Sequence, residues 1–214
     1  MIAIVDYGMG NLRSVQKGFE KAGYLAEITD DPKVIARAPG VVLPGVGAFK
    51  DCFDGLVARG LDAPVKAAAQ DGRPFLGICV GLQLLFEYGE EGAGSPGLGV
   101  LPGRVTRFPE AKATGLKVPH MGWNRLMPAA GRNLTLFDGI SANPYAYFVH
   151  SYYAVPTDDA VVLAWCHYGI DFPAMVGRDN LFAVQFHPEK SQADGILMLR
   201  NFGKLTEQPA YCRR

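Results

Sequence analysis

The sequence predicts an α/β fold: a central, mostly parallel sheet flanked by helices, with an antiparallel β layer added in the second half. Three observations carry this. Through about the first ninety residues, short apolar runs alternate with stretches of helical period, the pattern of strand–helix–strand units. From Val100 to Ala183 the texture changes to short β-like runs separated by Pro and Gly turns. No linker, internal repeat or low-complexity segment interrupts the chain, so residues 1–214 are expected to form a single domain.

Taken in order, Ile2 to Asp6 reads as the first buried strand. Leu12, Val15, Phe19 and Ala22 mark one helix face, closed by Gly23. Between them Gly8 and Gly10, with Asp30 about twenty residues on, invite a dinucleotide-binding reading. Arg13 stands where that motif needs its third glycine, so a loop that packs or lines a site is the better reading. Ala26 to Thr29 and Val41 to Leu43 are the next strands, with a short helix from Pro32 to Ala38 between them. Pro44-Gly45-Val46-Gly47-Ala48-Phe49 follows, at the strand end where open α/β sheets place ligands. It reads either as a tight turn or as backbone able to offer an N–H to an oxyanion.

Helical stretches fill Phe49 to Asp71, including Lys50 to Gly60. Phe75 opens a further buried strand, and Leu82, Leu85 and Phe86 have the spacing of a helix after it. Glu90 to Gly99 is a glycine-rich acidic loop. The β-like runs are Val105 to Phe108, Tyr147 to Val149, Val161 to Trp165 and Ala174 to Val176. Leu181 to Phe186 is the last strand, and Ser191 with Asp194 predicts a capping box for a final helix that buries Ile196, Leu199 and Phe202. Glu207 to Arg214 reads as a frayed tail.

Composition narrows the function classes. With 49% hydrophobic and 20% charged residues, the chain has the make-up of an ordinary soluble domain with a sizeable core. A formal net charge of zero provides no whole-molecule field toward nucleic acid or anionic membrane. No apolar run nears bilayer length, and Met1 to Asp6 lacks the basic start of a leader. Cys52, Cys79, Cys166 and Cys212 are scattered without C-x-x-C, which argues against a zinc site or disulfide scaffold and suits a reducing cytoplasm. No metal or cofactor is expected. One imbalance is local: Leu101 to Asn133 carries six basic residues against Glu110 alone, a solvated face by default or a surface for an acidic partner or phosphate.

The chemistry centres on Gly77-Ile78-Cys79-Val80-Gly81, the cysteine form of the nucleophile elbow. A sharp strand-to-helix turn strains the backbone and presents the nucleophile above the sheet. The flanking glycines let strand and helix approach. The helix N-terminus beside Cys79 favours thiolate and oxyanion alike. The competing reading is a structural cysteine between turn glycines. His187 and Glu189, two apart at a strand end, share a face by strand alternation. A histidine held by a carboxylate is what a cysteine nucleophile needs, whereas an isolated H-x-E is commonly a surface pair. His120, His150 and His167 have no carboxylate at i+2, which leaves His187 as the base candidate.

Pro44-Gly45-Val46-Gly47, Gly77 to Gln83 and Phe186-His187-Pro188-Glu189 together resemble the three signatures of class I glutamine amidotransferases, in that chain order. Within the class, Asp6 to Leu12, Leu43 to Phe49, Pro119 to Asn124 and Phe148 to Tyr152 are most similar to the glutaminase subunits of imidazole glycerol phosphate synthases. The resemblance implies a flavodoxin-like amidotransferase fold and a Cys79–His187–Glu189 triad that cleaves L-glutamine through a thioester. It implies oxyanion donors at Val46 and Val80, and glutamine contacts from Gly45, Gln83, His150, Ser151 and Tyr152. It also implies ammonia transfer to a (β/α)8-barrel cyclase in a heterodimer, with Asn11, Trp123, Tyr147 and Lys190 at the interface. Val46 departs from the small residue common in the wider class, which counts against a preformed oxyanion hole. The rivals are another amidotransferase glutaminase, such as that of pyridoxal phosphate synthesis, a non-catalytic member of the fold, and a stand-alone cysteine hydrolase. Met121 to Asn124 and Val149 to Tyr152 argue against the first, the intact triad against the second, and Gln83 with His150 to Tyr152 against the third.

Overall fold

The computed structural model describes residues 1–109, 115–132 and 134–208. In the first half β1 (Ile2–Val5), α1 (Leu12–Ala22), β2 (Ala26–Thr29), α2 (Pro32–Arg37), β3 (Val41–Gly45), α3 (Phe49–Ala58), α4 (Asp62–Gln70) and β4 (Phe75–Cys79) alternate as expected. A one-turn helix, α5 (Val80–Gln83), leads to β5 (Phe86–Gly89), β6 (Ser95–Pro96) and β7 (Leu101–Arg107). Then come β8 (His120–Arg125), β9 (Met127–Pro128), β10 (Tyr145–His150), β11 (Tyr152–Pro156), β12 (Val162–His167), β13 (Asp171–Arg178), β14 (Leu181–Val184) and α6 (Gln192–Thr206).

The main sheet runs β2-β1-β3-β4-β14-β13-β12-β9. From β2 to β14 every pairing is parallel, in the flavodoxin-like order, and β1, β3 and β4 are buried end to end because helices cover both faces. α1 packs with α6, and α2 packs with α4. The antiparallel part takes two forms. β13, β12 and β9 extend the main sheet, while β11-β7-β5-β6 and β10-β8 form two small sheets.

Three local expectations change. The apolar spacing at Leu82, Leu85 and Phe86 does not continue a helix: α5 stops at Gln83, and Phe86 opens β5. Leu82, Leu84, Leu85 and Phe86 are all fully buried, so periodicity had no solvent side to report. The carbonyls of Leu84 and Leu85 are instead taken by the N–H groups of Leu98, Val100 and Leu101 as the chain folds back. The capping box is also absent. Ser191 has φ −96° and ψ 35°, and Gln192 has φ 52°, so the Ser191 hydroxyl donates to the His187 carbonyl at 2.7 Å. The same oxygen accepts from the Tyr147 N–H at 3.0 Å. Asp194 accepts from the Ser141 hydroxyl. Finally, the last strand ends at Val184, not Phe186, so His187 caps, and Glu189 lies within, a 3-10 turn at Pro188–Lys190.

The Gly8–Gly10 loop packs, as expected, against Arg59 and Pro44. In the basic segment Arg104 pairs with Glu90 at 2.9 Å on the surface, as a solvated face does, while Glu110, Lys112 and Asn133 lie outside the described residues. Of the tail, Glu207 caps α6, and residues 209–214, Cys212 among them, lie outside the described residues.

Candidate active site

Most of what converges on the site comes from the carboxyl ends of β3, β4 and β14 and the segment joining β10 to β11, with Gln83, Glu91 and Pro119 completing the cavity wall. Cys79 ends β4 with φ 57° and ψ −111°, a left-handed conformation unusual for a residue with a side chain. Both elbow glycines are required sterically. A Cβ on Gly81 would sit 1.8 Å from the Leu43 carbonyl oxygen, and one on Gly77 would sit 2.8 Å from that of Gly81. The thiol does not stand exposed above the sheet. Cys79 is only 3% exposed, at the wall of a cavity of about 320 Å³. A helix of four residues aligns few peptide dipoles, so the field expected beside Cys79 is weaker than a full helix supplies.

His187 and Glu189 meet through the turn. His187 Nδ1 is 2.8 Å from Glu189 Oε1, and the two side chains are 3% and 1% exposed. Pro188 between them starts the 3-10 turn, where its missing N–H costs nothing. Two backbone bonds fix the histidine: its N–H donates to the Tyr147 carbonyl at 2.9 Å, and its carbonyl accepts from Ser191. Nε2 makes no hydrogen bond within ordinary limits among the described residues, nor does Glu189 Oε2. Burial opposes a charged ring. The Cys79 thiol and the Glu189 carboxylate outweigh it and carry the His187 pKa up to about 9.

The other expected residues fall into place around the cavity, which is lined by Val46, Val80, Gln83, His150, Ser151 and Tyr152 among others. Gly45 is the register partner of Cys79. The Val46 carbonyl accepts from the Cys52 thiol at 3.4 Å, and Gly47 follows with φ 101°. Gln83 donates to the Tyr152 carbonyl at 3.1 Å and to Gln185 Oε1 at 3.0 Å. Both ring nitrogens of His150 are engaged, one by the Tyr152 carbonyl and one by His120, so its backbone remains to meet a ligand.

Two residues escaped the sequence reading. Gln185 is fully buried and its amide nitrogen lies 3.8 Å from Cys79 Sγ. Its signal was a lone amide inside an apolar strand. Glu91 lines the cavity and accepts from the Phe49 N–H at 2.7 Å. It lies in the stretch read only as a glycine-rich acidic loop, which carries no motif.

Of the expected interface residues, Trp123 and Tyr147 pair across β8 and β10 with ring centroids 6.1 Å apart. Tyr147 also contacts the His187 turn through its backbone, Lys190 lies exposed on that turn, and Asn11 precedes α1, which packs on it. Met121 and Tyr145, exposed by 66% and 51%, share the outward face with Trp123.

The signature of glutamine amidotransferase class-I matches residues 3–204. The protein named imidazole glycerol phosphate synthase subunit HisH from Syntrophotalea carbinolica is 56% identical over 96% of this chain and 100% of its own length. Its namesakes from Geobacter sulfurreducens and Moorella thermoacetica are each 53% identical over 95% of this chain, and over 98% and 94% of their own lengths. Among solved structures, one titled a glutamine amidotransferase superposes with a TM-score of 0.73 at 21% identity, covering 96% of this chain and 99% of its own. PurLQS from Thermotoga maritima does so at 0.69 and 20%, covering 94% and 96%. These structures share the fold. A strained cysteine at the elbow, a buried His–Glu pair beside it and a sequence match across nearly the whole chain agree: the chain belongs to the class I glutamine amidotransferases.

Proposed function

We propose that this chain is the glutaminase subunit of an imidazole glycerol phosphate synthase, serving histidine biosynthesis, and that residues 1–214 act as one amidotransferase domain. The observation that carries the reading is the cavity lined by both Cys79 and His187, with Glu189 buried against the histidine. L-Glutamine binds with its side-chain amide at Cys79. Gly45, Gln83 and the backbone of His150, Ser151 and Tyr152 hold its polar groups, and Glu91 faces the α-ammonium.

The Cys79 thiolate attacks the amide carbon. Backbone N–H groups at Val80 and Val46 receive the oxyanion, and His187 protonates the departing ammonia. Water then attacks the thioester with His187 as base and returns the thiol, releasing glutamate. Glu189 holds the Nδ1 proton and the orientation of the ring. Ammonia passes to a cyclase subunit, read here as a (β/α)8 barrel in a heterodimer. Free ammonia would protonate in water, which is the physical need for a closed contact.

The outward face of β8–β10, with Trp123 and Tyr147, and nearby Asn11 and Lys190 form the docking surface. An exposed cluster of large apolar groups beside a catalytic site marks an interaction surface. Cys52, Cys79 and Cys166 are free thiols, in keeping with a reducing cytoplasm. The test is release of glutamate from L-glutamine by the assembled complex. Turnover that His187→Ala lowers by roughly a hundredfold or more supports the reading. A complex that releases no glutamate contradicts it.

A further inference from the structure

The β8–β10 sheet has two faces. Alternation puts Met121, Trp123, Tyr145 and Tyr147 on the outward one, and His120, Asn124, Phe148 and His150 on the inward one. His120 and His150 stand opposite each other in register, with His120 Nδ1 3.0 Å from His150 Nε2. Both residues are buried, at 2% and 6% exposure.

Their tautomers follow from one end of the network. The Tyr152 carbonyl can only accept, so His150 Nδ1, 2.8 Å away, carries a proton and donates. Burial pushes the His150 pKa down to about 3 and the His120 pKa down to about 4, so both rings are neutral at physiological pH. His150 Nε2 is therefore bare and accepts from the Nδ1–H of His120. Nε2 of His120 is bare in turn. The Asn124 amide nitrogen lies 3.4 Å from it while donating to the His167 carbonyl at 2.8 Å. The His120 ring is stacked between Phe148 and Tyr168, with centroids 4.8 and 4.0 Å away, which holds it in orientation. Beyond the Tyr152 carbonyl the network continues through Gln83 and Gln185 to the Cys79 sulfur.

Building on the reading that Gln83 and the 150–152 segment hold glutamine, we propose that His120 is a positioning residue for that substrate. Through His150 it fixes the Tyr152 carbonyl and with it the Gln83 amide, and it ties both to the strand that carries the docking face. A shift of β8 against β10 moves the donor on which His150 depends. The outward face and the glutamine pocket thus share one strand pair and one hydrogen bond.

The test is glutaminase kinetics of the assembled complex carrying His120→Phe or His120→Asn. Phenylalanine keeps the ring stack and removes the donor, whereas the asparagine amide stands where Nδ1 stood. His120→Phe is expected to raise KM for glutamine roughly tenfold to a hundredfold, the range for one buried acceptor left unpaired, with a smaller change in kcat. His120→Asn is expected to return KM to within about threefold of wild type. Synthesis fed with ammonium salt should stay unchanged. No rise in KM with phenylalanine, or equal impairment by both variants, overturns the proposal. Gln83→Ala run in parallel separates the two layers. If it too leaves KM unchanged, the pocket reading itself fails; if it raises KM while His120→Phe is silent, the relay alone fails. Nitrogen-15 NMR of the unsubstituted protein needs no variant to fold. Protonated Nδ1 and bare Nε2 in both rings are expected, and a protonated Nε2 in either contradicts the assignment.

Discussion

Cys79 sits at φ 57° in a turn that leaves no room for a side chain at Gly77 or Gly81. Its flanking glycines announced a tight strand-to-helix turn, and the turn is there, with steric reasons at Gly77 and Gly81. Its burial was not legible, because the segments that roof it come from Val149 to Tyr152, some seventy residues away in the chain. Of the described thiols only Cys79 lines the cavity. Desolvation pushes Cys52 up to about 11 and Cys166 up to about 12, far from thiolate at neutral pH. An electrophilic glutamine analogue should therefore label Cys79 and spare both, which peptide mapping by mass spectrometry checks; modification of Cys52 or Cys166 instead contradicts the assignment.

His187 carries a pH prediction. Its pKa of about 9 lies above the unfolded value of 6.5, so its contribution to stability is complete below pH 6.5 and is lost as pH rises through 9. Protonation of ammonia needs the charged ring, so the alkaline limb of kcat/KM should lie near pH 9. Glu189→Gln removes one of the charges that raise it. That limb should move to lower pH, with a rate loss on the order of a hundredfold or more. An unmoved limb would show that Glu189 does not set the histidine.

At the scale of elements, the parallel half was legible because β1, β3, β4 and β14 are short, largely apolar runs and β2 sits between two helical stretches. The misreadings share a cause. The helix expected through Phe86, the capping box at Ser191 and the strand end at His187 were each read from local pattern and decided by tertiary partners: Leu98 to Leu101, Tyr147 and the 3-10 turn. The elbow gives a stability test. Gly81→Ala drives a Cβ into the Leu43 carbonyl and should cost about 3 kcal/mol, read as a lowered denaturant midpoint; a neutral substitution would mean the close approach is not needed.

Gating belongs to the neighbouring segment. β-Branched Val46 resists the positive φ that glycine accepts, while Gly45 and Gly47 beside it let a peptide plane turn. If the resting segment keeps one oxyanion donor turned away, the isolated chain is slower by roughly a hundred- to a thousandfold than the substrate-loaded complex. Val46→Gly should then raise partner-independent glutamine hydrolysis. An isolated chain as fast as the loaded complex defeats this gating account.

For the whole molecule, strand–helix alternation made the parallel half legible, and the three segments that meet at the site were legible because each carries its own short signature. What the sequence could not give was the sheet geometry that sets the exposed face of β8–β10 beside the His187–Glu189 turn, since that depends on pairing between residues 120–125 and 145–150. At this scale Lys190→Glu, on the His187–Glu189 turn, should weaken partner association or reduce glutamine-fed synthesis more than ammonium-fed synthesis. Equal loss with both nitrogen sources counts against the docking role.

The central claim is that Cys79 liberates ammonia for a second subunit. The most direct measurement compares cyclase product formed by the complex carrying Cys79→Ala from L-glutamine and from ammonium salt. The account predicts that glutamine-dependent synthesis disappears while ammonium-dependent synthesis continues at the unsubstituted rate. Persistent glutamine-dependent synthesis, or loss of both while the complex stays assembled, would contradict it.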